Sequence, residues 1–229
     1  MAGPNARFIS RATINGEKTE MSQHWIVLND SAPGTCQITI NTEPQRLQQV
    51  QVDLGWGDMV YRVFSGFIER YQKTADGWFT AFCREYSAVL EKEVSVMLRH
   101  ATMRQVVDEI ANQTGLAFTL PNAAYVDKAI PCFYAHSTGL AMLQQIGRSF
   151  QIADFVWYQQ ANGDIYLGSY ANSFWQGKAP NIPVGLMTDH QAARSATMTA
   201  APLIRPHVTL NGERLKRVEF KATEMTLEW

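Results

Sequence analysis

The sequence carries almost no net charge. Its 229 residues include 20 Lys and Arg against 21 Asp and Glu, which gives a formal net charge of -1. Proteins that hold nucleic acid or an anionic membrane electrostatically need a clear excess of basic residues. The composition therefore gives no basis for tight binding to DNA or to an anionic membrane surface.

Cysteine is scarce, and nothing near it suggests a metal or redox site. Cys36, Cys83 and Cys132 are odd in number and widely spaced, and none has a neighbouring Cys or His at a zinc-binding interval. The five histidines also lack the His-x-x-x-His and Glu-x-x-His spacings that place two ligands on one helix face. We expect reduced, buried cysteines and no bound metal.

Common catalytic and targeting signals are absent as well. The sequence has no Gly-x-Ser-x-Gly elbow, no phosphate-cradling Gly-rich loop and no dinucleotide fingerprint, so we expect no cofactor. No apolar run approaches the roughly 20 residues of a membrane-spanning helix. Residues 1–5 lack the charged and apolar segments of a signal peptide. We therefore expect no membrane anchor and a protein made in the cytoplasm.

The sequence does contain a strong strand pattern across residues 49–85. Apolar and polar residues alternate from Val50 to Leu54, which is typical of a half-buried strand. Residues 59–71 are apolar on both faces, as expected of a strand that is covered on both sides. Asp76-Gly77 then predicts a tight hairpin turn, because a type I′ turn needs positive φ at both central residues. This stretch predicts the centre of a β-sheet.

The period of the pattern changes after Tyr86. Helical patterns follow at residues 103–115 and 138–150, and Thr102 and Gln105 are spaced as a capping box for the first of them. Gly115 is placed to end that helix. Strand patterns return from residue 208 to the last residue. We predict a mainly β protein, a barrel or sandwich split between the N- and C-terminal segments, with a small helix-strand insertion.

The predicted domain boundaries follow these changes of pattern. Residues 1–88 and 203–229 are assigned to the β-domain, and residues 89–170 to the inserted α+β domain. Residues 171–202 hold several prolines with many Ala, Ser and Thr, so we predict an extended linker or loop that contacts another chain. A mobile surface loop is the alternative.

Glu69 and Glu85 are the best-placed pair of carboxylates, since they lie on the two strands of the predicted hairpin. Glycoside hydrolysis needs two acids at the right separation and leaves almost no sequence motif. However, Arg70 and Arg84 adjoin them, and charged residues near strand ends usually pair across the sheet or face water. We therefore assign no catalytic residue and keep a hydrolase as an alternative.

Exposed aromatic residues are candidates for contact with another protein. Trp56 lies between two glycines in the corner before Met59, where a large ring is expected to project outward. Phe174 and Trp175 form a second candidate site within the predicted linker. Each site could instead fill a local gap, and Trp56 or Trp175 would also suit a carbohydrate-binding module. Trp56, Met59, Phe174 and Trp175 are our candidate interface residues.

A series of short stretches spread over most of the chain carries a resemblance. They are VDLGW at 52–56, FSGFIE at 64–69, REY at 84–86, PCFY at 131–134, VWYQQ at 156–160, DIYLG at 164–168, LIRP at 203–206, LNG at 210–212 and MTLEW at 225–229. Each stretch is loose by itself, and the weight comes from their order. In that order they resemble the baseplate or tail hub proteins of tailed phages, the Mu-like late-control family.

The resemblance implies tail-tube-like β-barrel modules that assemble into a ring at the distal end of the tail tube. Such hubs join the tube to spike or fibre proteins and surround the channel through which DNA passes without specific binding. They are non-enzymatic structural proteins of the virion tail. Larger hubs hold two tube-like modules per chain and form trimers, whereas this chain is short for two.

We therefore prefer a homotrimer, with a hexamer of single barrels as the alternative assembly. A tail-associated peptidoglycan hydrolase and a carbohydrate-binding module remain alternative functions.

Overall fold

Residues 7–191 and 194–229 are described by the computed structural model of the chain. The chain divides into two compact units. The first combines the segment that ends at Glu85 with the segment from Ala179 to Trp229, and the second runs from Tyr86 to Lys178. The first unit is therefore discontinuous in sequence.

Strands dominate the secondary structure of the first unit, and the second unit combines strands with helices. The strands are β1 Phe8–Ile14, β2 Glu17–Thr19, β3 Met21–Asn29, β4 Thr35–Ile40, β5 Gln49–Trp56, β6 Met59–Ala75, β7 Trp78–Glu85, β8 Glu93–Ala101, β9 Phe118–Thr119, β10 Ile130–Thr138, β11 Phe155–Gln159, β12 Ile165–Ser169, β13 Thr188–Gln191, β14 Ser195–Thr199, β15 Thr209–Leu210, β16 Glu213–Arg214, β17 Arg217–Lys221 and β18 Glu224–Glu228. The α-helices are α1 Met103–Thr114, α2 Ala124–Asp127 and α3 Gly139–Ser149, and short 3-10 helices lie at Tyr86–Glu91, Tyr170–Asn172 and Val184–Leu186. None of the helices in the described part of the chain has the length and apolarity needed to cross a bilayer.

One large antiparallel sheet forms the first unit. Its strand order is β13-β14-β18-β17-β3-β4-β7-β6-β5-β1-β2. The two ends of the chain meet where β17 pairs with β3, with Phe220 opposite Ile26 and Val218 opposite Leu28. All four side chains are buried. The predicted fold class, mainly β and split between the N- and C-terminal segments around a helix-strand insertion, is confirmed.

A closed barrel is not found among residues 7–191 and 194–229. The hydrogen-bonded order ends at β13 on one side and at β2 on the other. β2 is only three residues long and pairs with β1 only from Ala12 to Ile14, so it leaves residues 8–11 of β1 without a strand on that side. The sheet therefore keeps open edges.

The predicted strand pattern around β5 is confirmed. Val50, Val52 and Leu54 are fully buried, because alternate residues of a strand point to the same face. β6 pairs with β5 from Met59 to Phe67 and with β7 from Gly66 to Ala75, and the predicted Asp76-Gly77 turn closes the β6–β7 hairpin, with Gly77 at a φ of 74°. These three strands lie within the large sheet.

The second unit has a hydrophobic core of its own. It contains the two-stranded ribbon β8–β10 and the sheet β11-β12-β9, and the buried cluster includes Val96, Met103, Phe133, Leu143 and Trp157. The predicted helices are confirmed in α1 and α3. In α1 both hydrogen bonds of the capping box form, and Gly115 ends the helix in the left-handed conformation. The β8–β10 ribbon was not predicted.

Residues 171–202 are not the extended linker that the sequence analysis predicted. β14 lies inside this segment and pairs with β18 along its full length, with Ala196 opposite Leu227. Residues from Ala179 onward belong to the first unit. The sequence signal was weak because small and polar residues predominate, and the strand forms by pairing with β18 rather than by its own propensity.

The prediction of buried cysteines is correct for Cys36 and Cys83 and wrong for Cys132. Cys36 lies directly opposite Cys83 in the β4–β7 pair, on the core face. Strand alternation sends Phe133 of β10 into the core and leaves Cys132 exposed on the other face.

The three thiols should differ in reactivity. Burial raises the pKa of both Cys36 and Cys83, and the neighbouring Cys83 raises that of Cys36 further. Because the thiolate is the reactive form, we expect a thiol reagent such as Ellman's reagent to label only Cys132 in the native protein and all three cysteines after denaturation. Cys132→Ser should abolish native labelling. Rapid native labelling of a second cysteine would contradict the buried placement.

Gly66 is a position where the sheet should not tolerate a side chain. A Cβ there would lie 1.9 Å from the carbonyl oxygen of Arg84 on the neighbouring strand. We expect Gly66→Ala to lower the free energy of unfolding by about 3 kcal/mol, as for severe overpacking. The matched control is Gly77→Ala, which meets no atom within 4 Å and should cost about 1 kcal/mol through its left-handed φ alone. Urea unfolding followed by circular dichroism measures both, and equal costs would refute the argument.

Candidate assembly surface

The long strand β6 has one edge without a strand partner in its outer half. On one side it pairs with β7 to the end of the hairpin. On the other side β5 begins at Gln49, opposite Phe67, and the backbone bonds from that side reach only as far as Ile68. In the described structure, residues 70–75 therefore make no backbone hydrogen bond on the side away from β7. At ~3.4 Å per residue, this β6 edge is about 20 Å long.

The β6 edge is also accessible. Every side chain from Arg70 to Ala75 is exposed, and Tyr71 is the large apolar residue among them. Unpaired N–H and C=O groups in a row can accept a strand from another chain. The β6 edge is therefore suited to pairing with a second polypeptide.

Two other strand edges, those of β2 and β8, have features that hinder such pairing. β2 is short and presents the charged residues Glu17 and Lys18. The outer edge of β8 is occupied by a side chain: the Gln113 amide donates to Ser95 O at 2.7 Å, and Ser95 N donates to Gln113 Oε1 at 3.1 Å. Unlike the edges of β2 and β8, the β6 edge is long and accessible to another chain.

At the β5–β6 corner, Trp56 is half-buried rather than projecting outward. Its Nε1 donates to the carbonyl oxygen of Ala200 at 2.8 Å, and its ring packs edge-on against Phe8 with centroids 5.0 Å apart. Its cross-strand partner Met59 is 38% exposed. Trp56 therefore connects β5 to the C-terminal part of the first unit, while Met59 is available for contact.

Phe174 and Trp175 lie in the second unit and differ in the same way. Trp175 packs on a small cluster that includes Tyr158 and Tyr166. Phe174 is 62% exposed, and the Lys178 ammonium lies 3.0 Å from the centroid of its ring. Trp175 thus fills a local gap, and Phe174 is the exposed member of the pair.

The structure does not assemble an active site from Glu69 and Glu85. Glu85 is buried, and its Oε2 accepts a hydrogen bond from Gly34 N at 2.7 Å, which secures the turn after β3. Glu69 lies 3.9 Å from the guanidinium of Arg84. In the described part of the chain, no group of three or more His, Cys, Asp or Glu residues could hold a metal ion.

Trp25 is among the exposed aromatic residues that sequence reasoning missed. Trp25 is 46% exposed on the outer face of β3, and its Nε1 donates to Glu219 Oε1 at 2.7 Å. A signal was present, because Trp25 occupies the polar face of a strand whose other face carries the buried Ile26 and Leu28. The partner Glu219 lies in the C-terminal segment, which no local pattern reveals.

The fold is that of known phage tail proteins. The chain matches the 43 kDa tail protein of prophage MuSo2 from Shewanella oneidensis with a TM-score of 0.67 at 12% identity, covering 95% of this chain and 96% of that one. It matches a tail protein from Neisseria meningitidis MC58 with a TM-score of 0.65 at 12% identity, covering 96% and 95%. Both are described as tail proteins.

A secretion-system protein shares the fold too. The E. coli c3393 protein, a component of the type VI secretion system described as structurally similar to T4 bacteriophage tail proteins gp27 and gp5, gives a TM-score of 0.62 at 11% identity. The match covers 94% of this chain and 75% of that one.

A phage protein is similar in sequence. The chain is 32% identical over 222 residues to an uncharacterized 58.7 kDa protein from the lys 3′ region of Haemophilus phage HP1. The match covers 96% of this chain but 42% of that protein, so the chain spans less than half of its relative. No protein-family model matches the chain.

Trp56 should act within the chain rather than between chains. We expect Trp56→Phe to lower the free energy of unfolding by about 1 kcal/mol, because the bond to Ala200 O is lost while the ring volume is nearly kept. Met59→Ala, at an exposed position, should leave stability almost unchanged. Urea unfolding and sedimentation of both variants check this. If Trp56→Phe weakened self-association without affecting stability, Trp56 would be an intermolecular anchor instead.

Proposed function

We propose that this protein is a structural component of a phage tail, a baseplate or tail hub that forms a ring joining the distal tail tube to spike or fibre proteins. The fold shared with tail proteins supports a tail role. The observation that carries the ring is the open β6 edge of about 20 Å, because a strand edge is a template for joining identical subunits. The virion tail is the corresponding location.

The proposed ring uses the β6 edge of one copy and a different surface of the next copy. A surface that pairs with a different surface on the next copy makes a head-to-tail contact, and such contacts close into a ring when the rotation permits. Pairing along the β6 edge would add several backbone hydrogen bonds, each worth about 1 kcal/mol net. The preferred assembly is a homotrimer, and a hexamer of single tube-like modules is the alternative.

The remaining surface is assigned to neighbouring tail proteins. Met59 and Phe174 are the exposed members of the candidate interface residues and are proposed to contact the tube or the spike or fibre proteins. The proposed ring encloses a channel for DNA. We expect the channel wall to be polar and not strongly basic, which a formal net charge of -1 permits, so that DNA passes without being held.

Proline substitution on β6 tests the role of the open edge. Gln72 and Lys73 are adjacent and lie in regular register opposite Thr80 and Phe79. Neighbouring N–H groups of a strand point to opposite edges, so Gln72→Pro and Lys73→Pro remove one outward N–H and one that faces β7. The variant that loses the N–H facing away from β7 should weaken self-association by about ten-fold or more, with little loss of stability. The other should mainly lower the free energy of unfolding.

Sedimentation equilibrium and urea unfolding of both variants separate these effects. Mass measurement of the unmodified protein, purified and within isolated tails, gives the number of copies in the ring. Unchanged association in both variants would exclude the β6 edge from the interface, and a single copy per intact tail would refute the ring.

A further inference from the structure

A cleft of about 470 Å³ opens in the first unit between β1, β3 and the turn that joins β17 to β18. Phe8 and Ser10 line it from β1, Trp25 from β3, and Thr223 from the turn. Sites for small molecules commonly enclose about 300–1,000 Å³ and combine aromatic surface with a few polar groups. The volume and the mixed lining therefore suit a bound ligand.

Trp25 gives this cleft a fixed aromatic surface. The indole N–H is bonded to Glu219 Oε1, and Glu219 Oε2 in turn accepts a hydrogen bond from Arg217 at 2.9 Å. The ring remains 46% exposed. Because its hydrogen-bonding group is occupied within the protein, Trp25 offers a ligand only the apolar face of a ring that is already held in place.

Uncommitted neutral polar groups surround the ring. Four side chains that line the cleft make no side-chain hydrogen bond with any other described residue; they are Ser10, Gln23, Gln37 and Thr223. Hydroxyl and amide groups each provide both a donor and an acceptor. They match a ligand whose own groups also donate and accept, as sugar hydroxyls do.

The cleft is almost without charge. Its described lining includes Lys221 but no Asp or Glu. His24 also lines it, and burial lowers the pKa of this imidazole below its ordinary value, so the ring is uncharged at neutral pH. An anionic ligand would meet little compensating charge here, and glycosidic bond cleavage would lack its pair of carboxylates.

The polar and aromatic surface continues across the sheet. Trp25 lies opposite Gln37, and Gln37 lies opposite Phe82, so the three side chains form a row across β3, β4 and β7. Gln37 also lines a second cleft of about 290 Å³ together with Phe82 and Arg70. The two aromatic residues are two strand spacings apart, or about 10 Å. The Arg70 guanidinium lies over the Phe82 ring, 4.8 Å from its centroid, so Trp25 is the ring of this row that is left for stacking.

We propose that this cleft, the Trp25 cleft, binds a neutral oligosaccharide without cleaving it, with one sugar ring stacked on Trp25 and its hydroxyl groups bonded to Gln37 and the other uncommitted polar side chains. The proposal does not depend on the β6 edge or on ring formation. It locates sugar binding at a tryptophan other than Trp56 and Trp175, whose rings are packed against their own units.

Binding to an array of neutral glycans, followed by saturation-transfer NMR with maltotriose and triacetylchitotriose as defined probes, tests the Trp25 cleft. We expect Trp25→Ala to weaken binding by about ten-fold, because the stacking surface is removed. Gln37→Ala should weaken it less. The control is Phe174→Ala, which removes an aromatic ring that is even more exposed, 62% against 46%, from the second unit and should leave binding unchanged.

Three outcomes would overturn the proposal. They are the absence of any glycan signal, a signal unaffected by Trp25→Ala, and a loss of self-association in Trp25→Ala without glycan binding, which would make this face a contact between copies. Lys73 lines neither the Trp25 cleft nor the second cleft, so Lys73→Pro should retain glycan binding. Failure of the ring proposal is therefore distinguishable from failure of this one.

Discussion

The pairing of β17 with β3 is the interaction on which the first unit depends. It brings the C-terminal segment to the middle of the large sheet, where Ile26 and Phe220 are completely buried opposite each other. β18 and β14 reach the sheet only through β17. The same arrangement places Glu219 beside Trp25 and Ala200 beside Trp56. Both aromatic sites thus owe their geometry to one strand pair formed between distant parts of the chain.

The sequence predicted the features of the fold that depend on interactions between residues close together in the chain. The alternation from Val50 to Leu54, the capping box at Thr102 and the Asp76-Gly77 turn each depend on a few neighbouring residues, and the structure contains all of them. β14 and the β8–β10 ribbon depend on partners far along the chain, so their own residues gave weak signals. The candidate site shows the same limit. Whether Trp56 or Trp25 is exposed is decided by residues about 140 and 190 positions away.

The fold provides surfaces rather than reactive groups. Glu85, one of the two candidate acids, accepts a hydrogen bond from Gly34 N in the turn after β3. What the described structure leaves available is backbone at the β6 edge and an aromatic, uncharged face around Trp25. Blunted edges at β2 and β8 show that unwanted pairing is suppressed elsewhere. Such selectivity suits a molecule whose contacts are made with other proteins.

Because the large sheet uses strands from both ends of the chain, it also sets the order in which the two units can fold during synthesis. Leu28 cannot pair with Val218 until synthesis has advanced by about 190 residues. A ribosome that adds about 5–20 residues per second needs roughly 10–40 s for this. During that interval the second unit, which is continuous in sequence, can already fold around its own core. A prematurely terminated chain lacks β17 and cannot complete the sheet.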